Sequence, residues 1–215
     1  MSRRYDCADA GDRTTGLREA ASAIRRGELV VLPTDTLYGV GADAFSAEAV
    51  GELMAARGRG RNTPSPVLVG SPTTLHGLVT DFSEQAWELV DAFWPGGLTL
   101  VARHQPSLRW DLGDTRGTVA VRMPLHPVAI ELLNATGPLA VSSANRIGGS
   151  SPLTCDDAQA QLGDAISVYL DGGAAEDSAT SSIVDVTGKV PVLLRAGAIS
   201  VEQLREVVPD LEAGS

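Results

Sequence analysis

The chain has 215 residues, 43% of them hydrophobic, and a net charge of −10, with a mean hydropathy of +0.04. That length supports one sizeable core, and the acidic balance argues against broad, non-specific nucleic-acid binding, which needs a basic surface. No apolar run approaches the ~20 residues of a bilayer span, and the polar opening "MSRRYDCADAGDR" lacks the apolar stretch of a secretory signal, so a cytoplasmic protein is expected.

In chain order, "TTGLREAASAIRRG" places Leu17, Ala20, Ala21 and Ile24 at helical spacing, with Gly27 as its stop and a strand following to Leu32. "SAEAVGELMAAR" predicts a helix capped by Ser46. "SPVLVG" predicts a short buried strand, after which Ser71 and Pro72 open a helix as N-cap and first residue. Ser83 caps another helix carrying Trp87, Val90, Phe93 and Trp94, and Pro95–Gly96 stop it. "LTLVAR" and "TVAVRMP" read as strands, "HPVAIELLNAT" as a helix, "LAVSS" as a strand and "TCDDAQAQLG" as a helix. "ISVYLDGG", "SSIVDVT" and "VPVLLRAG" are further strands, and "SVEQLREVV" is a closing helix capped by Ser200. "ADAF", "GDTRG" and "DGGAAEDSATS" read as surface loops. With no internal repeat or low-complexity linker, the alternation predicts a single α/β domain over residues 1–215, with a mixed sheet and flanking helices.

Cys7 and Cys155 stand far apart and the three histidines are scattered at 76, 104 and 126. Two reduced thiols and no metal site are therefore expected. Strands repeatedly end in small polar groups or arginine: Thr34-Asp35-Thr36 after "VVLP", Arg122 after "VAV", Ser142 to Asn145 after "LAV", and Arg195 after "VLL". "SIVD" begins beside Ser181 and Ser182. Ligands of α/β sheets gather beyond strand ends, and guanidinium suits phosphate or carboxylate because its planar fork donates paired hydrogen bonds. A further basic cluster, Arg57, Arg59 and Arg61, falls within five residues of an acidic chain. Together these predict an anion pocket. Neither a P-loop, nor a strand-linked G-x-G-x-x-G, nor a G-x-S-x-G elbow is present, so a nucleotide would be held in another way.

The segments "PTDTLYGVGADA", "FWPGGLTLV", "VAVRMPLHPVA", "VSSANRIGGSSP", "SSIVDVT" and "LLRAGAI" resemble, in order, the signatures of YrdC-like threonylcarbamoyl-AMP synthases, over about Leu17 to Leu204. The resemblance implies a twisted, open α/β sheet with a concave, positively charged cavity. It implies synthesis of threonylcarbamoyl-adenylate and pyrophosphate from L-threonine, bicarbonate and ATP, with Mg²⁺ expected, to supply tRNA modification. It also implies tRNA and tRNA-modification proteins as partners. By motif, Arg57, Arg59, Ser143 and Asn145 would be catalytic. Thr34, Arg122 and Ser181 would bind threonine, and Arg57, Arg61, Thr118, Ser143, Ser151 and Arg195 would bind ATP. The chain departs from the family at Arg57, where lysine is usual, at Thr180 and Ser182 before the "IVD" strand, and at Ile147. Two other readings stand beside the synthase: a non-catalytic RNA-binding module, and a carbamoyl-transfer paralogue with another substrate.

Overall fold

The computed structural model describes residues 2–175 and 179–214. Among them, twelve strands join in one mixed sheet: β1 Arg3–Asp6, β2 Val30–Leu32, β3 Gly39–Asp43, β4 Val67–Leu68, β5 Val79–Thr80, β6 Leu98–His104, β7 Thr118–Arg122, β8 Leu139–Ser143, β9 Val168–Asp171, β10 Ser182–Asp185, β11 Val192–Arg195 and β12 Glu212–Ala213. The order across the sheet is β1-β9-β2-β3-β8-β4-β7-β6-β10-β11-β12, with β5 paired to β6. Parallel pairs such as β2 with β9 and β6 with β10 mix with antiparallel ones such as β3 with β8 and β6 with β7. The helices are α1 Ala10–Arg25, α2 Ala47–Arg57, α3 Leu75–Leu78, α4 Glu84–Phe93, α5 Pro127–Thr136, α6 Cys155–Leu162 and α7 Val201–Val207.

Capping sets where the helices begin. Ser46, Ser83 and Ser200 each accept a hydrogen bond from the backbone N–H three residues on. Thr154 and Asp157 form a reciprocal capping box on α6. Asp9 caps α1, accepting from Asp12 N at 2.8 Å, so that helix starts before the run that announced it. Left-handed Gly58 (φ 70°) ends α2 and leaves Arg57 as its last residue.

Three expectations need correction. The "ADAF" loop is in part strand, since Ala42 and Asp43 belong to β3. The helix expected after Ser71 is a 3₁₀ turn over Pro72–Thr74 followed by the single turn of α3. β1 pairs with β9 in a stretch that read only as a polar terminus. Residues 176–178 of the expected "DGGAAEDSATS" loop lie outside the described residues.

Helix placement positions the site. One apolar cluster joins α1 and α5 to Leu32, Leu68, Val141 and Leu170. On the opposite face, α2 and α6 pack on Val31, Val40 and Tyr169, and α3, α4 and α7 pack on Leu98, Leu100, Val119, Val121 and Val184. The neighbours of that last set, Thr99, Val101, Ala120, Arg122 and Ile183, point the other way because strand side chains alternate. No helix covers them among the described residues. That bare half of the sheet is the floor of a cavity.

Both cysteines are free and buried, and burial pushes the Cys7 thiol up to about 11 and the Cys155 thiol up to about 12. No helix is long and apolar enough to cross a membrane among the described residues.

Candidate active site

The cavity encloses about 350 Å³. Its floor is Thr99, Ala120, Arg122 and Ile183 from β6, β7 and β10; its walls are the loop from Thr34 to Gly39, the loop carrying Arg59, Thr63 and Pro64, and Ser142–Ser143 at the end of β8. Ser181 and Arg195 close the remaining side. The site therefore spreads over a sheet face as well as the strand ends where it was expected.

Arg122 is 6% exposed. Its Nε donates to the Gly96 carbonyl at 2.8 Å, Nη1 to Thr36 Oγ1 at 2.9 Å and Nη2 to Asp35 Oδ1 at 2.7 Å. One N–H on each Nη is left for a ligand. Burial presses the guanidinium toward its neutral form, and Asp35 opposes that. Asp35 Oδ1 also accepts from Leu125 N at 2.8 Å, which ties β7's exit to the Thr34 loop. Thr34 closes that loop on itself: its hydroxyl donates to the Leu37 carbonyl at 2.6 Å and accepts from the N–H groups of Thr36 and Leu37.

Across the cavity, Arg195 donates from Nε and Nη2 to the Ser181 carbonyl at 3.1 and 2.7 Å and from Nη2 to Ser181 Oγ at 3.1 Å. Thr99 Oγ1 lies 2.8 Å from the same hydroxyl. Desolvation first, then repulsion from Arg122, lowers the Arg195 pKa. The Arg59 side chain reaches the cavity with no hydrogen-bonding or ion-pairing partner among the described residues. Three arginines line this space, and among the described residues the one carboxylate paired with them is Asp35.

Gly197 keeps this side in place by having no side chain. A Cβ there would stand 2.2 Å from the Thr180 carbonyl oxygen and 2.7 Å from that of Ser181. Both are backbone atoms, and Ala198 N donates to the first of them at 2.9 Å. Gly197→Ala is expected to cost about 1–3 kcal/mol through overpacking, a melting-temperature fall of roughly 2–12 °C in a chain of this size. A thermal melt matching the parent would show that the Ser181 segment yields freely.

Of the residues singled out in the sequence, Thr34, Arg59, Arg122, Ser143, Ser181 and Arg195 line the one cavity. Arg57 and Asn145 are bonded to each other one layer behind it. Arg61 is on the surface, bidentate to Asp111 at 2.8 Å through both Nη atoms, with Asp114 at 3.5 Å. Thr118 donates to the Thr115 carbonyl at 2.8 Å at the far start of β7. Ser151 is exposed and outside the cavity lining. Thr99 lines the cavity without having been singled out, and Thr36 and Ser142, noted at strand ends, line it without having been assigned a role. Period-two reading exposes Thr99, the polar residue between Leu98 and Leu100; Ser142 stood in the noted strand end and was passed over for its neighbour. Among the described residues no group of three or more His, Cys, Asp or Glu side chains is placed to hold a metal ion.

A family model named Sua5_yciO_yrdC and described as "Telomere recombination" matches residues 22–197. The chain belongs to the Sua5/YciO/YrdC family. A Mycobacterium tuberculosis member, provisionally named a threonylcarbamoyl-AMP synthase, is 54% identical over 208 residues, covering 97% of this chain and 96% of its own length. A Bacillus subtilis member named threonylcarbamoyl-AMP synthase is 36% identical over 194 residues, covering 89% of this chain and 56% of its own. The solved Sua5 of P. abyssi, in a crystal structure complexed with L-threonine, superposes with a TM-score of 0.91 at 32% identity. It is covered for 62% of its length by the whole of this chain. This member of the Sua5/YciO/YrdC family thus spans nearly all of its mycobacterial relative and under two thirds of the archaeal one.

Proposed function

We propose that the chain is an L-threonylcarbamoyladenylate synthase, joining L-threonine, bicarbonate and ATP into threonylcarbamoyl-AMP with release of pyrophosphate and water. The observation that carries this reading is the convergence of Arg59, Arg122 and Arg195, with one paired carboxylate, on a single cavity floored by sheet. The relatives' names and the threonine-bound neighbour support the same reading.

Bicarbonate adds to the threonine amine to give a carbamate, and water leaves. A carbamate oxygen then attacks the α-phosphorus of ATP, and the bond to the pyrophosphate oxygen breaks. The protein supplies position and charge rather than a covalent intermediate. Arg122, fixed between Asp35, Thr36 and Gly96, suits the threonine carboxylate. Arg59, without a side-chain partner among the described residues, suits the phosphates, and Arg195 with Ser181 bounds the space between them. The wall contributes hydroxyls and guanidiniums, so Mg²⁺ is best carried on the ATP phosphates as part of the substrate. Cations gathered inside a cavity of about 350 Å³ favour this reading over an RNA-binding module, which would set them along an open surface.

Purified protein given MgATP, bicarbonate and threonine is expected to release pyrophosphate, and omission of threonine or bicarbonate is expected to stop it. Release that ignores threonine, or fails to occur under any condition, would sink the proposal. The same assay over a panel of amino acids separates the synthase from a paralogue with another substrate.

A further inference from the structure

Arg57, Arg59 and Arg61 end in three different environments. Arg61 is clamped to Asp111 on the surface, Arg59 lines the cavity, and Arg57 is 2% exposed. The Arg57 guanidinium makes three hydrogen bonds, one from each nitrogen. Nε donates to the Asn145 carbonyl at 3.0 Å, Nη2 to Asn145 Oδ1 at 3.0 Å, and Nη1 to Ser142 Oγ. Its own carbonyl accepts from Ile147 N at 2.9 Å. Asn145 in turn donates from Nδ2 to the Gly149 carbonyl at 3.0 Å. Side chain and backbone of one residue therefore grip the whole segment that leaves β8.

No carboxylate pairs with Arg57 among the described residues. Desolvation first, then the Arg59 charge, lowers its pKa to about 10, which leaves it cationic at neutral pH. A buried cation without a counter-ion is costly, and an apolar side chain of similar length is a tolerable or stabilising replacement for packing alone. The arrangement makes sense through what it does to its partners. Nη1 occupies a lone pair of Ser142 Oγ, so the hydroxyl hydrogen turns away from the guanidinium. Ser142 lines the cavity, so a hydroxyl hydrogen turned away from the guanidinium is left to donate to a ligand bound there. The uncompensated charge behind it adds to the attraction for an anion.

We infer that Arg57 is a positioning residue for the nucleotide: it touches no substrate, and acts by turning Ser142 Oγ into an oriented donor and by holding the Asn145 segment against the cavity. The identity of the anion as ATP phosphate rests on the synthase reading above.

The test measures ATP affinity by calorimetry, pyrophosphate-release kinetics and melting curves for the parent, Arg57→Met, Arg57→Lys, Ser142→Ala and the Arg57→Met/Ser142→Ala double variant. Arg57→Met is expected to weaken ATP binding about tenfold or more, to leave KM for threonine near the parent value, and to melt within about 4 °C of the parent. Arg57→Lys restores most of the affinity, because an ammonium still donates to Ser142 and Asn145. The double variant loses less than the product of the two single losses, because both act on one hydroxyl. Multiplicative losses would place Arg57 on the ATP itself and overturn the inference. Parent-like ATP affinity in Arg57→Met or in Ser142→Ala would overturn it too, as would equal loss for both substrates together with a collapsed melting temperature. A parent that binds ATP yet releases no pyrophosphate would refute the synthase and still leave Arg57 decided by the binding data.

Discussion

Arg59→Ala is expected to lower kcat/KM for ATP by roughly 10²- to 10³-fold while leaving the melting temperature within about 2 °C of the parent. The two halves of that expectation come from one fact. The Arg59 side chain lines the cavity and bonds to no other group among the described residues. Removing it strands no partner and opens no core, so stability is untouched. A guanidinium aimed at a triphosphate in a partly enclosed space, by contrast, is worth several times a neutral hydrogen bond. Its neighbours cannot replace it: Arg57 is committed to Asn145 and Ser142, and Arg61 to Asp111. Steady-state kinetics with ATP varied at saturating threonine provide the measurement. A variant with parent-like kcat/KM would remove Arg59 from the nucleotide's surroundings.

Arg122→Ala is expected to behave differently, losing stability and activity together. The alanine leaves Asp35, whose side chain is 17% exposed, without its cation, and strips donors from Thr36 and the Gly96 carbonyl. Breaking one side of a buried pair costs about 3–5 kcal/mol, which at about 2–4 °C per kcal/mol predicts a melting-temperature fall of roughly 6–20 °C. Threonine-dependent turnover should vanish with it. The Asp35→Ala/Arg122→Ala double variant should melt higher than Arg122→Ala alone, because no lone charge remains, yet stay inactive. Calorimetry separates these outcomes. A double variant no more stable than Arg122→Ala would mean that the ion pair is not what holds the Thr34 loop to β7.

The fold was largely legible because its determinants are local. Ser46, Ser83 and Ser200 cap the helices that their positions announced, and alternation in "LTLVAR" and "TVAVRMP" gave β6 and β7. β1 and β12 were hidden because they are short polar edge strands, made by pairing with β9 and β11 rather than by their own composition. β3 was not read as a strand, and its last two residues were taken into the "ADAF" loop; two of its five residues, Gly39 and Gly41, carry no side chain to show alternation. Both face Val141 on β8 at a distance that leaves no room for a side chain at Gly39, where a Cβ would come within 2.6 Å. In the site, motif order brought six of the named residues to one cavity. Sequence could not sort the arginine triplet. Spacing by two looks equivalent along the chain, but the helix ends after Arg57 and the left-handed Gly58 turns the backbone toward a new direction before Arg59. Burial then depends on Asn145, 88 residues away.

The half-sheet left without a helix carries a second consequence. Val101, Ala120 and Ile183 form an apolar strip that another molecule's sheet could stack upon, the usual hazard of unshielded β structure. Arg122 and Arg195 stand among these residues. Arg122 is neutralised by Asp35, but two copies approaching face to face would set one Arg195 against the other. A guanidinium placed for an anion would then also oppose self-association.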